Sequence, residues 1–270
     1  MIETAHAVRY DGMVEQGRTA PLRVHAEKAD GASVDVILKV TDGHHLTIEG
    51  LANEMMDSLL AGDLGLPTPQ PLFVEVSPEF IASIPDMGVQ ARLNDACNLC
   101  FGSTDAGSQW RRWDPTDRLS PDRYGLALRV LAFDSFIGNP DRGARNSNLL
   151  RHKSDGALLL IDHETAFGFR MKRFPPVRPW VLGNLSHLAV RGADSEHLFF
   201  TALSGRADLA FDAVSTDWND LSDVRLAAYD AVLPAAWEAA RPMVLEALGH
   251  LRTVRDRLPD CLNELRRVLQ

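Results

Sequence analysis

The sequence predicts an α+β fold, with a sheet-rich N-terminal part and a mainly helical C-terminal part. Three observations carry this. Short alternating or β-branched runs recur between Ala5 and Val40. An apolar pattern spaced by three and four residues runs from Leu126 to Ile137, and the segment from Leu221 to Leu269 is Ala- and Leu-rich with helical periodicity, broken at Pro234, Pro242 and Pro259. At 45% hydrophobic and 24% charged, 270 residues suffice for one large domain or two smaller lobes sharing a cleft.

Taken in order, Ala5 to Arg9, Leu22 to Ala26 and Val34 to Val40 are separated by glycine-bearing polar segments, which predicts an antiparallel meander. Ile48 to Leu60 then places Leu51, Met55 and Leu59 on one helix face, and Gly65 followed by Pro67 stops that helix. Leu72 to Val76 and Phe80 to Ile84, bounded by Pro71, Pro78 and Pro85, are expected to be strands. From Asn94 to Arg118 the chain is rich in Gly, Ser, Asp and Trp and reads as an irregular connector. The expected organisation is therefore an N-terminal lobe over 1–93, a connector over 94–118 and a C-terminal lobe over 119–270. Ser120-Pro121 supplies an N-cap and a proline at the first helical position, Leu126, Val130, Phe133 and Ile137 continue the helix, and Gly138 ends it.

Composition narrows the function. No apolar stretch approaches the about 18 residues of a membrane span, and the first residues have neither a basic nor an apolar leader region, so a cytoplasmic location is expected. Cys97, Cys100 and Cys261 form no even disulfide framework. The net charge of −9 disfavours nucleic acid and anionic membrane as partners, so an anionic partner would need a local basic patch.

Chemistry concentrates after the central helix, in IGNPDRGARNSNLL (137–150) and ALLLIDHE (157–164). The turn signal Lys153-Ser154-Asp155-Gly156 makes the flanking runs a hairpin whose paired residue numbers sum to about 309, bringing Asn146 within one residue of the partner of Asp162. A carboxylate and an amide converging at the open end of a hairpin suit Mg²⁺, which takes a few protein oxygens and leaves places for water and phosphate. Asp141 precedes Asn146 by five residues, the Asp-x4-Asn spacing of a phosphotransfer loop: Asp141 would position or deprotonate an acceptor hydroxyl while Asn146 and Asp162 hold the metal.

These two runs resemble the catalytic and metal loops of HipA-like serine/threonine kinases and of the related phosphoinositide-kinase-like enzymes. The resemblance implies a two-lobed protein-kinase-like fold with an antiparallel-sheet N-lobe, a mainly helical C-lobe, and ATP and Mg²⁺ between them. It maps Asp141 onto the catalytic aspartate, Asn146 onto the metal asparagine and Asp162 onto the metal aspartate. It further implies a strand lysine on the ATP phosphates paired with a helix glutamate. Lys39, in the apolar run VILKV, and Glu54, in the next helix, stand in those places. The loop Asp11 to Thr19, with Gly12 and Gly17, would cover the phosphates, although it lacks GxGxxG. Two features differ from the relatives: the additional N-terminal domain of HipA toxins has no counterpart in this sequence, and His163-Glu164 replaces Phe-Gly after the metal aspartate.

Downstream, Arg170, Lys172, Arg173 and Arg178 form an acid-free basic run that is either a solvated loop or the docking place of an anionic acceptor. Plain structural readings stand beside the rest. Asn-Pro-Asp makes turns, Lys39 can snorkel from an edge strand, Cys97-x2-Cys100 lacks the second pair of a zinc site, and His44-His45 fits a polar turn. His163 and Glu164 either support the metal aspartate or are surface residues. The expected function is an ATP- and Mg²⁺-dependent kinase acting on a Ser/Thr hydroxyl of a protein. The alternatives are a small-molecule or lipid-headgroup kinase and a catalytically silent nucleotide-binding module.

Overall fold

In the computed structural model of the chain, which describes residues 2–14, 19–42, 46–143, 146–167, 177–189 and 196–270, the N-terminal strands close on themselves. β1 (Glu3–Met13), β2 (Leu22–Lys28) and β3 (Ser33–Lys39) form the expected meander. Helix α1 (Ile48–Asp63), capped by Thr47 Oγ1 accepting from the Gly50 N–H, leads to β4 (Pro71–Glu75). The barrel order is β1-β2-β3-β5-β4. It is not wholly antiparallel as expected, because β4 runs parallel to β1; such a pair needs a long crossover, and the chain through α1 provides it.

Two assignments are corrected. Phe80 to Ile84 is not a strand: α2 (Pro78–Ser83) forms there because Ser77 accepts from the Phe80 N–H and Pro78 occupies the first helical turn. After α3 (Met87–Asp95), the supposedly irregular connector holds β5 (Leu99–Thr104), which lies between β3 and β4, and β6 (Trp110–Arg112). β5 escapes a reading by propensity because its Gly, Ser and Cys suit a crowded interior. A Cβ on Gly102 would lie 2.6 Å from Val36 Cγ1 and 2.7 Å from Val74 Cγ2. Cys100 is buried in this barrel and Cys97 is half-buried; both are free thiols, and neither belongs to a potential metal cluster among the described residues.

A short helical turn at Pro121–Arg123 opens α4 (Tyr124–Ile137), without a side-chain cap from Ser120. Gly138 ends it in the left-handed conformation at φ 66°. The hairpin of β7 (Leu149–His152) and β8 (Leu158–Leu160) pairs Leu149 with Leu160, Leu150 with Leu159 and Arg151 with Leu158, the register that the turn predicts. The remaining helices are α5 (Phe200–Leu203), α6 (Phe211–Asn219), α7 (Asp223–Ala231), α8 (Arg241–Asp256) and α9 (Leu258–Leu269). Among the described residues, no helix is long and apolar enough to cross a membrane.

Two apolar cores result. One fills the barrel and the underside of α2 and α3. The other contains Leu51, Met55 and Leu60 of α1 together with α4 and the C-terminal helices. Although α1 lies within the N-terminal sequence, its apolar face thus belongs to the C-terminal core.

Gly102→Ala is expected to cost about 1–3 kcal/mol by overpacking the barrel wall, seen as a lower urea midpoint; an unchanged midpoint would show that Val36 and Val74 can move aside.

Candidate active site

β3 ends on Lys39, and α1 turns Glu54 toward it; the two are only 8% and 2% exposed. The Lys39 ammonium donates to Glu54 Oε1 and, at 2.5 Å, to Asp162 Oδ1, with Glu164 Oε2 at 3.8 Å. The Glu54 carboxylate also accepts the His163 N–H at 2.7 Å. Next to it on α1, Asn53 Nδ2 donates to the carbonyls of Glu164 (3.1 Å) and Ala166 (2.9 Å). Helix α1 therefore grips the backbone that follows Asp162. Asp162 itself has φ 63°, a left-handed conformation that costs about 1–3 kcal/mol for a non-glycine residue and persists only where its surroundings fix it.

One cation serves three carboxylates. Burial opposes the charge of Lys39, but Asp162, Glu54 and Glu164 outweigh it and hold the ammonium above its ordinary range. Burial also works against the Asp162 carboxylate, yet Lys39 brings it down to about 2. For Glu54 burial wins over Lys39, and its carboxyl is pushed up to about 7. Oxygens of Glu54, Asp162 and Glu164 lie within 4.8 Å of one another. Excess acid at that spacing fits a divalent cation. One turn further along α1, Asp57 is fully buried with neither oxygen hydrogen-bonded, and burial beside Glu54 and Asp134 raises its carboxyl well above the usual range.

The second group is the loop after α4. Asn146 Nδ2 donates to Asp141 Oδ2 at 2.8 Å and Asn148 Nδ2 to the same oxygen at 3.2 Å. The loop is held by Arg142, the residue after Asp141, whose side chain is fully buried. Its Nε donates to Asp134 Oδ2 at 2.6 Å, its Nη1 to the Asn148 carbonyl, and its Nη2 lies 3.4 Å from His163 Nδ1. Asp134 also accepts from Asn139 Nδ2 at 2.7 Å and contacts His197 Nε2 at 2.9 Å. Burial works against this carboxylate, but Arg142 and His197 bring it down to about 2. The Leu198 N–H donates to the Arg142 carbonyl, so the chain before α5 is tied to the same loop.

A cavity of about 390 Å³ is lined by Val14, Pro21, Ile37, Phe101 and Leu160 together with Lys39, Glu54, Asp162 and His163. Asp141 and Asn146 are not part of that wall; Arg142, reaching His163, links their loop to it. The structure thus gathers Lys39, Glu54 and Asp162 in one cluster and Asp141 and Asn146 in another. Gly12 occupies a bulge of β1 at φ 118°, just before Met13 and Val14, which do line the cavity. Gly17, Arg170, Lys172, Arg173 and the pair His44-His45 lie outside the described residues. Arg178 is exposed, and its backbone N–H donates to Asn184 Oδ1 at 2.6 Å.

Asn53, Asp134, Asn148 and His197 were not singled out from the sequence. Asp134 had a detectable signal, the lone acid of a mainly apolar helix, in the apolar run between Val130 and Ile137. His163 proves buried, edge-on to Phe133 at 5.9 Å, where it takes the part of an aromatic core residue.

Burial, aided by the charge of Arg142, pushes the His163 imidazole down from 6.5 to about 3. The folded value lies below the unfolded one, so between these limits the unfolded chain binds the extra proton and stability falls as pH drops below 6.5. Urea unfolding from about pH 6.5 to about pH 4.5 is expected to show up to about 1.4 kcal/mol per pH unit from this group. His163→Phe should lack that component; equal slopes in the two proteins would mean that the ring is protonated in the fold.

The family model described as HipA-like kinase matches residues 13–174. Among solved structures, the chain is similar to the Helicobacter pylori proinflammatory kinase CtkA, with a TM-score of 0.50 at 10% identity over 96% of this chain and 99% of that one. The FAT and kinase domain of CtTel1 gives 0.30 at 13% identity, covering 97% of this chain and 23% of that one, too low to argue from. No curated protein matches.

Proposed function

Since the chain belongs to the HipA-like kinase family, we propose that this kinase transfers the γ-phosphoryl group of ATP, with Mg²⁺, to a Ser/Thr hydroxyl of a protein. The observation that carries the reading is the meeting of Lys39, Glu54 and Asp162 on the wall of one cavity, with the Asp141 loop fastened to that wall through Arg142. The barrel and the helical part would be two lobes, divided near 94–118, that hold the nucleotide between them.

Each residue has a task that follows from its contacts. Lys39, kept charged by its carboxylates, would bind the α- and β-phosphates, and Glu54 would aim it. Asp141 accepts two amide hydrogen bonds on Oδ2, which fixes its carboxylate to receive or orient the acceptor hydroxyl. Asp162 would hold Mg²⁺ together with the amide oxygen of Asn146, whose nitrogen is already committed to Asp141. Glu164 adds a third oxygen to the cluster containing Asp162. The ion, when bound, supplies charge neutralisation on the phosphates. Three free thiols, Cys97, Cys100 and Cys261, support a reducing, cytoplasmic setting.

Labelled ATP with Mg²⁺ and a Ser/Thr-rich protein mixture is expected to give phosphoprotein. Asp141→Asn should lower transfer by about 10²-fold or more while leaving ATP affinity within about threefold, because it removes a group that acts in the transfer step. Asp162→Asn, or chelation of the metal, should abolish transfer. Full activity of Asp162→Asn would overturn the assignment, and transfer confined to small alcohols would replace the protein acceptor.

A further inference from the structure

We propose that Arg92, on α3, is a positioning residue that sets the cavity roof against Lys39. The proposal rests on the reading of the cavity as the ATP site. Arg92 is half-buried, and its guanidinium donates to three backbone carbonyls: Ala20 at 2.7 Å, Thr19 at 2.8 Å and Val40 at 3.2 Å. The first two belong to the arm that enters β2. The third belongs to the residue immediately after Lys39.

Two features make this clamp more than a surface contact. Ala20 has φ 42°, a left-handed conformation that a non-glycine residue keeps only where neighbours hold it, and Arg92 donates to the carbonyls of both Thr19 and Ala20, on either side of that residue's strained N–Cα bond. The next residue, Pro21, accepts the Val14 N–H at 2.8 Å, and both Pro21 and Val14 line the cavity. Arg92 therefore ties the roof pair Val14 and Pro21, through Thr19 and Ala20, to the strand end that carries Lys39. A planar fork reaching several oxygens at once suits this task, and an ammonium would not reproduce it.

If Lys39 takes the phosphates, the clamp sets the place of Val14 and Pro21 relative to Lys39, and so bears on the phosphate end of the nucleotide rather than on its base. The test compares calorimetric affinities of wild type, Arg92→Met and Arg92→Lys for Mg²⁺ with the non-hydrolysable analogue AMP-PNP, and for adenosine. Arg92→Met should bind AMP-PNP about tenfold more weakly, Arg92→Lys by an intermediate factor, and adenosine within about twofold of wild type. A merely structural role would move both ligands alike, and that result, or unchanged affinity for both, overturns the proposal. Should Arg92→Met not fold, Arg92→Lys decides on the same ratio. Wild type that binds neither ligand would remove the ATP-site reading itself, and the proposal with it.

Discussion

A single buried ammonium organises this molecule. Lys39 comes from the barrel, Glu54 from α1 and Asp162 from the chain after β8, and the three meet around one cation. Such clusters are poor stabilisers, since removing charges from water costs several kcal/mol per ion before attraction returns it. Apolar residues of the same volume would fold at least as well. The cluster nevertheless stands on a cavity wall, beside a third carboxylate, and perturbed charges of this kind gather at functional sites more often than elsewhere.

The division of the cores gives that cluster a mechanical meaning. Lys39 ends a barrel strand, whereas Glu54 stands on α1, which is packed into the C-terminal core and bonded through Asn53 to the backbone of Glu164 and Ala166. Glu54 is therefore tied to His163 through its N–H, and Lys39 reaches both Glu54 and Asp162 from the barrel. Arg142 and Asp134 anchor the Asp141 loop, with His197 bringing in the chain before α5.

Much of this was legible in one dimension. The register of β7 and β8 and the end of α4 at Gly138 followed from local signals, a turn tetrapeptide and a glycine after an apolar helix, whereas the pairing of Lys39 with Glu54 was implied by the resemblance to HipA-like kinases. What escaped was set by neighbours far along the chain. β5 is rich in small residues because β3 and β4 press on Gly102 from both sides, and α2 hid behind prolines that bound strands as readily as they start helices. Arg142 carried no role of its own in the sequence reading, although its side chain is fully buried on Asp134.

The amino-acid order alone determined β1 to β3, α1, α4 and the β7–β8 hairpin, because caps and turns act over a few positions, and it named the candidate residues for phosphate and metal. Only the tertiary structure decided which of those residues share a wall. The closure of the barrel by a parallel pair, the allegiance of α1 to the C-terminal core and the burial of Arg142 and His163 depend on close packing between distant segments, and such packing leaves no periodic trace in the sequence.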